Sequence, residues 1–180
     1  AACVVTALVV GGSIGIGAWI AQRPPAETVL ATIDLAPLAD GLDDASASIV
    51  EREVSRDGDR PKVACVIYNR LDDGMKLQMD STVHYVSERE GDAFTTDDER
   101  DIDSPYNTYM YEGLPPGPID SPSAEAVEAT LSPADGDWIY FVAVNFDTGE
   151  TKFAETADEH AENVEELQAW CADEGSDICG

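Results

Sequence analysis

Apolar and polar positions divide the chain into a long uncharged opening and an acidic remainder with short periodic segments. No charged residue occurs from Ala1 to Ile20, and about 20 apolar residues are enough to cross a bilayer as a helix. Trp19 stands at the end of the run, where an interfacial aromatic belongs, and Gln22-Arg23-Pro24-Pro25 terminates it. The pattern predicts one N-terminal transmembrane helix over residues 1–22. A buried soluble helix is the competing reading, and a cleaved signal peptide would lack a clean small-x-small site. Residues 23–42, interrupted by Pro24, Pro25 and Pro37, read as a linker.

Beyond the linker the periodicity turns helical. Asp43 or Asp44 is placed to cap a helix reaching residue 55, with Ala47, Val50 and Val54 as its apolar stripe. Pro61 suits the first turn of a second helix, Val63, Val66, Ile67 and Leu71 form its buried face, and Gly74 ends it. Residues 76–79 read as a short strand, and residues 82–86 fit helix or strand equally. Residues 87–103 are dense in Asp and Glu and read as a solvated insert. Residues 106–111 are aromatic and extended, followed by a rigid Gly-Pro turn at 113–118. A helix at 123–131, a strand at 138–144, a turn at Asp147-Thr148-Gly149, a return strand at 150–153 and an amphipathic helix at 156–170 complete the pattern. The order predicts an α+β domain over residues 43–172, helices packed on a small, mostly antiparallel sheet, with residues 173–180 as a tail.

Composition narrows the function classes. A net charge of −27 excludes nucleic acid, which needs clustered Lys and Arg, and excludes docking on anionic lipid through basic residues. A hydrophobic fraction of 43% marks a folded chain. The acidity is spread along the sequence, which suits solubility, including in high salt; a cation-binding acidic site is the weaker alternative. The only two His, His84 and His160, are far apart, and the four Cys have no zinc-site spacing, so no metal or cofactor is expected. Cys65 reads as a buried small residue. Whether Cys171 and Cys179 close a disulfide is open.

Candidate chemistry starts on the first helix. Glu51 borders its apolar stripe, Arg52 faces solvent, and Glu53 lies on the other side, because residues two apart do not share a face. A carboxylate drawn out of water holds its proton to higher pH, so Glu51 is expected to act as an acid near neutrality. Periodicity barely separates it from Glu53, and a solvated helix carboxylate is the plain alternative for both. Arg70 falls within the buried face of the second helix, where a guanidinium needs a carboxylate partner or must snorkel outward. Asn69 lies on the flank, within reach of a groove.

The ordered segments Ala47-Ser48-Ile49-Val50-Glu51-Arg52-Glu53, Arg60-Pro61-Lys62-Val63-Ala64, Tyr68-Asn69-Arg70-Leu71 and Gly74-Met75-Lys76-Leu77-Gln78-Met79-Asp80-Ser81-Thr82-Val83 resemble the YceG-like (MltG) endolytic murein transglycosylase family. Ser104-Pro105-Tyr106-Asn107-Thr108-Tyr109, Gly113-Leu114-Pro115-Pro116-Gly117-Pro118-Ile119, Tyr140-Phe141-Val142 and Phe153 with Glu159-His160 continue the likeness in register. It covers residues 47–170.

The resemblance implies a single-pass inner-membrane protein with an extracytoplasmic catalytic domain. It implies cleavage of the β-1,4 bond between N-acetylmuramic acid and N-acetylglucosamine within peptidoglycan glycan strands, with cell-wall synthases as further partners. It places the catalytic carboxylate at Glu51. That group protonates the leaving oxygen and then takes the proton of the muramyl 6-hydroxyl as this closes onto C1, leaving a 1,6-anhydro end. The attacking hydroxyl is tethered to the same sugar, so one carboxyl group suffices, unlike paired-carboxylate glycosidases. Gln78, Asp80, Asn107 and Thr108 are read as hydrogen-bonding groups for the glycan, Tyr106 and Tyr109 as faces for sugar rings, and Arg70 and Glu53 as supporting residues. Core packing is the even alternative for the two Tyr. Ser81 stands where the family usually has Pro, the acidic 88–103 segment is no family signature, and no LysM-like module is present. A water-using glycoside hydrolase, with Asp80 as second carboxylate, and a non-catalytic glycan-binding scaffold are the competing functions.

Overall fold

The computed structural model describes residues 44–87 and 94–174. The expected transmembrane helix, the linker, part of the acidic insert and Cys179 lie outside these residues. No helix among the described residues is long and apolar enough to cross a membrane. Among the described residues six helices and one hairpin follow in order: α1 (Asp44–Glu53), α2 (Arg60–Asp72), α3 (Asp80–Ser87), α4 (Asp97–Arg100), α5 (Ala124–Leu131), β1 (Tyr140–Asn145), β2 (Glu150–Ala154) and α6 (Ala157–Glu174), with a 3-10 turn at Asp57–Asp59 before α2.

The core forms where the apolar stripes of α1, α2 and α5 meet. Ile49, Val50, Val63, Val66 and Ile67 are fully buried there, joined by Leu77 and Met79 from the segment after α2. Each such side chain contributes about 1.5–3 kcal/mol by leaving water. Ser46 and Ser48 are buried among them; the Ser48 hydroxyl donates to the Ala45 carbonyl at 2.8 Å and accepts the Ile119 N–H at 3.0 Å. That second bond stitches the segment after the Gly-Pro turn onto α1. Proline in the first turn opens α2 without loss of a helical hydrogen bond. Gly74, at φ +66°, closes it: the Met75 N–H returns to the Arg70 carbonyl at 2.8 Å and the Gly74 N–H to Leu71 at 3.1 Å.

The hairpin pairs antiparallel, Tyr140 with Ala154 and Phe141 with Phe153, with an irregularity between Ala143 and Asn145. Gly149, at φ +67°, makes the turn, and a Cβ there would lie 2.6 Å from the Ser55 Oγ just beyond α1. α6 packs on β1, and α3 packs on α1. The described residues are thus helices on a small antiparallel sheet, as expected for an α+β domain.

Two local expectations are corrected and one open reading is settled. Residues 76–79 form no strand: the Gln78 N–H donates to the Thr108 carbonyl at 3.1 Å, and Gln78 itself is at φ +52°. Residues 82–86, equivocal in sequence, belong to α3. Residues 106–111 are folded into turns through Asn107 rather than extended. Within the acidic insert, Thr96 and Glu99 form a capping box on the short α4.

Candidate functional site

A cleft of about 780 Å³ opens between the C-terminal end of α1, the 77–81 segment, α4, β1 and α6. Arg52, Glu53, Gln78, Asp80, Tyr109 and Arg70 line it, with His84, Arg100, Tyr140 and His160 completing the polar wall. Three of the chain's ten Lys and Arg therefore face this one hollow in a protein of net charge −27. That concentration lowers the local negative potential and makes the cleft accessible to anionic groups.

The two carboxyls of α1 diverge, as helical geometry requires. Glu53 faces the cleft. Its Oε1 accepts the Ser81 hydroxyl at 2.5 Å and the Ser81 N–H at 3.3 Å, both from the first turn of α3. Burial outweighs these bonds and, with the negative charge of Asp80, pushes the Glu53 carboxyl up to about 7.

Glu51 points the other way and does not line the cleft. Its Oε2 accepts the Ser123 hydroxyl at 2.5 Å and the Ser123 N–H at 3.2 Å, and its Oε1 pairs with Arg60 at 3.2 Å. Arg60 in turn pairs with Asp57. The Ser123 hydroxyl bond, helped by the Ser123 N–H and Arg60, holds Glu51 below the usual carboxylate range despite its partial burial. The expectation that burial keeps Glu51 protonated near neutrality is therefore corrected. Ser123 also caps α5 by accepting the Ala126 N–H at 3.2 Å. Glu51 thus ties α1 to the start of α5.

Asp80 lies at the start of α3 inside the cleft. Its Oδ1 accepts the Tyr109 hydroxyl at 2.6 Å and the Thr95 hydroxyl at 2.8 Å, and Arg100 stands 3.9 Å away. Burial and the Asp80 charge push the Tyr109 phenol well above its ordinary value, so it remains a hydrogen-bond donor. Gln78 is exposed at the cleft, with its Oε1 3.4 Å from an Arg70 nitrogen. Of the expected glycan-binding set, Gln78, Asp80 and Tyr109 are brought together.

The other members are not. Asn107 is fully buried, donating to the Arg100 and Ile102 carbonyls at 2.9 Å each and accepting the Tyr109 N–H at 3.0 Å. Thr108 is buried too, its hydroxyl accepting the Met79 N–H at 2.9 Å. These two hold the 104–111 turn against the 77–81 segment from beneath. Tyr106 packs on Tyr85, with ring centroids 5.0 Å apart, away from the cleft. The Asn69 amide donates to the Gly136 and Trp138 carbonyls at 3.0 and 2.9 Å, fastening α2 to the approach of β1.

Among the described residues Arg70 has no carboxylate partner, and it is buried rather than snorkelling outward. Its Nε donates to the Ile139 carbonyl at 2.6 Å and one terminal nitrogen to the Lys76 and Leu77 carbonyls at 3.1 and 2.8 Å. Its guanidinium lies 5.2 Å from the Tyr140 ring centroid, and Tyr140 stacks on His160 at 5.1 Å. Burial, with Arg70 nearby, lowers the His160 imidazole below its ordinary value and favours its neutral form. Sequence reasoning gave no role to Ser81, Arg100, His84, Tyr140 or His160. Only the single aromatic and histidine letters marked the last two, and they come from elements far apart in sequence. Among the described residues no group of His, Cys, Asp and Glu is arranged to hold a metal ion.

Comparison with known proteins adds a family to this geometry. The model of the YceG-like family matches residues 45–166. The endolytic murein transglycosylase of Bacillus subtilis (strain 168) is 44% identical over 114 residues, covering 63% of this chain and 31% of that protein. The endolytic murein transglycosylase of Streptococcus pneumoniae serotype 2 (strain D39) is 38% identical over 124 residues, covering 67% of this chain and 22% of that protein. A crystal structure of a yceG-like protein from Listeria monocytogenes superposes with a TM-score of 0.65 at 39% identity, covering 76% of this chain and 47% of that one. The chain thus spans less than a third of the length of these two curated relatives.

Proposed function

The chain belongs to the YceG-like family, and on that premise we propose that it acts as an endolytic murein transglycosylase with Glu53 as its acid and base. The carrying observation is the Glu53 carboxyl facing the cleft, poised at about 7 by burial, beside the hydrogen-bonding groups of Gln78 and Tyr109. A catalytic acid works best when its pKa lies near the operating pH. Glu53 protonates the oxygen leaving C1 of the muramyl residue. The resulting carboxylate takes the proton of the 6-hydroxyl of the same sugar, whose oxygen closes onto C1. The proton count returns to its start, no water is consumed, and the product ends in 1,6-anhydro-muramic acid. Gln78, Tyr109 and Arg70 supply hydrogen-bonding and charged groups to hold the strand.

The role expected of Glu51 passes to Glu53, since Glu51 is held ionised outside the cleft. Asp80 in the same cleft is the observation that favours water-using hydrolysis, as a second carboxylate. Its ties to Tyr109, Thr95 and Arg100 support a positioning and electrostatic role instead. Digestion of purified peptidoglycan decides between them: anhydromuramyl ends are expected, whereas reducing muramyl ends alone overturn the proposal. In the same assay Glu53→Gln should lose activity by orders of magnitude while Glu51→Gln retains most of it. A scaffold would function unchanged by either substitution.

We propose further that the uncharged residues 1–20 anchor the chain in a membrane; the likeness to the family adds a domain on the wall side with cell-wall synthases within reach. Fractionation of the full chain, with protease access from outside the membrane, tests this; a soluble or protected domain overturns it.

A further inference from the structure

We infer that Ser81 is a positioning residue for Glu53: its hydroxyl and backbone N–H, both aimed at Oε1, fix which oxygen of the carboxyl is left for the substrate and tune its acidity. The inference rests on the assignment of Glu53 as acid and base. Ser81 lies in the first turn of α3, where backbone N–H groups have no partner within the helix. Glu53 reaches across from α1 and accepts that N–H at 3.3 Å together with the Ser81 hydroxyl at 2.5 Å. Both bonds fall on Oε1. A carboxyl that accepts two donors on one oxygen must carry its own proton on the other. Oε2 is then the atom that delivers the proton and later receives one.

The same contact opposes the burial of Glu53. Two donors and the positive end of α3 favour the ionised form, while burial and Asp80 favour the neutral one. The titratable and charged groups sharing the cleft are Arg52 on α1, Asp80 and His84 on α3, Arg100 on α4, Arg70 on α2, Tyr109, Tyr140 on β1 and His160 on α6. Of these, Asp80 acts on Glu53 in the raising direction and Arg52 in the lowering one. Ser81 is distinct in touching the carboxyl directly. Without its hydroxyl, burial is less opposed, and Glu53 keeps its proton to higher pH.

The test uses the full chain and its Ser81→Ala, Ser81→Thr, Ser81→Pro and Glu53→Gln variants on purified glycan strands. Anhydromuramyl ends are counted between pH 4.5 and 9. The Glu53 carboxyl is followed separately by 13C NMR, its signal identified by its absence in Glu53→Gln. Proline is accepted in a first helical turn, so Ser81→Pro removes both donors while α3 still forms; circular dichroism checks this. Ser81→Ala should move the alkaline limb and the NMR midpoint upward by about one pH unit, the scale of one charge-assisted hydrogen bond. Ser81→Pro should move both further, with kcat falling more than KM changes. Ser81→Thr, which keeps the hydroxyl, should restore the wild-type limb. An NMR midpoint in Ser81→Ala and Ser81→Pro that coincides with wild type, or moves down, overturns the inference. Glu53→Gln that stays active overturns the assignment of Glu53, and the NMR midpoint still reads the hold of Ser81 on that carboxyl.

Discussion

Replacing Glu53 by Gln should make the domain more stable at neutral and alkaline pH. Burial holds the folded-state carboxyl at about 7 against an ordinary 4.5. The folded protein therefore binds this proton more tightly than the unfolded chain does. Stability from this group is complete below about 4.5 and is lost as pH rises through 7. The lost amount corresponds to about 3 kcal/mol, an upper bound because Gln keeps the size of the side chain but not every contact. Gln is neutral at every pH and has no such loss. Urea unfolding of both proteins at pH 4, 5.5, 7 and 8.5 gives the difference directly. Near pH 4 the two should agree closely, and the advantage of Gln should grow through pH 7 and level off above 8. The pH-dependent repulsion among the many other carboxylates is common to both and cancels. A difference that does not vary with pH, or a Gln variant that is less stable at pH 8.5, refutes the claim that Glu53 is buried at energetic cost.

Asp80→Asn removes the charge that raises Glu53, so the alkaline limb of activity should move to lower pH, seen in the same pH-rate profile. Ser123→Ala should cost about 2 kcal/mol at neutral pH, through loss of the α5 cap and of the bond that holds Glu51 ionised, measured by urea unfolding. Because the Glu51 carboxyl is lowered, its share of that loss is present above about 4.5 and should shrink as pH falls further. Asn107→Ala leaves two backbone carbonyls and one N–H without a buried partner and should cost about 3 kcal/mol by the same measurement. With a net charge of −27 the thermal midpoint should rise between 0.1 and 1 M KCl as self-repulsion is screened; a flat or falling midpoint contradicts this.

The elements that carry their own signal were legible in sequence. α1, α2, α5 and the hairpin are marked by helical or alternating spacing, by a proline in the first turn of α2, and by glycine at the turns. α3 was not, because Asp80-Ser81-Thr82-Val83-His84-Tyr85 mixes β-branched residues with a helix start. The acid itself could not be chosen from the helical wheel. Glu51 and Glu53 differ only in what lies opposite them, Ser123 in one case and Ser81 in the other, and each partner arrives from a separate element. The half-buried Asn69 and the buried Asn107 and Thr108 looked like ligand groups for the same reason. Their partners are mostly main-chain groups, which carry no letter in the sequence. Arg70 misled in its partners alone: its burial followed from the spacing, but carbonyls rather than a carboxylate receive it.

That last substitution of partner has a practical meaning. Peptide carbonyls neither gain nor lose protons in the working range, and they are not displaced by salt as a counter-ion is. The strut formed by Arg70 between Ile139, Lys76 and Leu77 therefore keeps the same set of bonds from mildly acidic to mildly alkaline solution. One wall of the cleft is insulated from the variables that act on Glu53 and His160. A titration of activity in this protein thus reads the protons of its reacting groups against a frame that does not itself titrate.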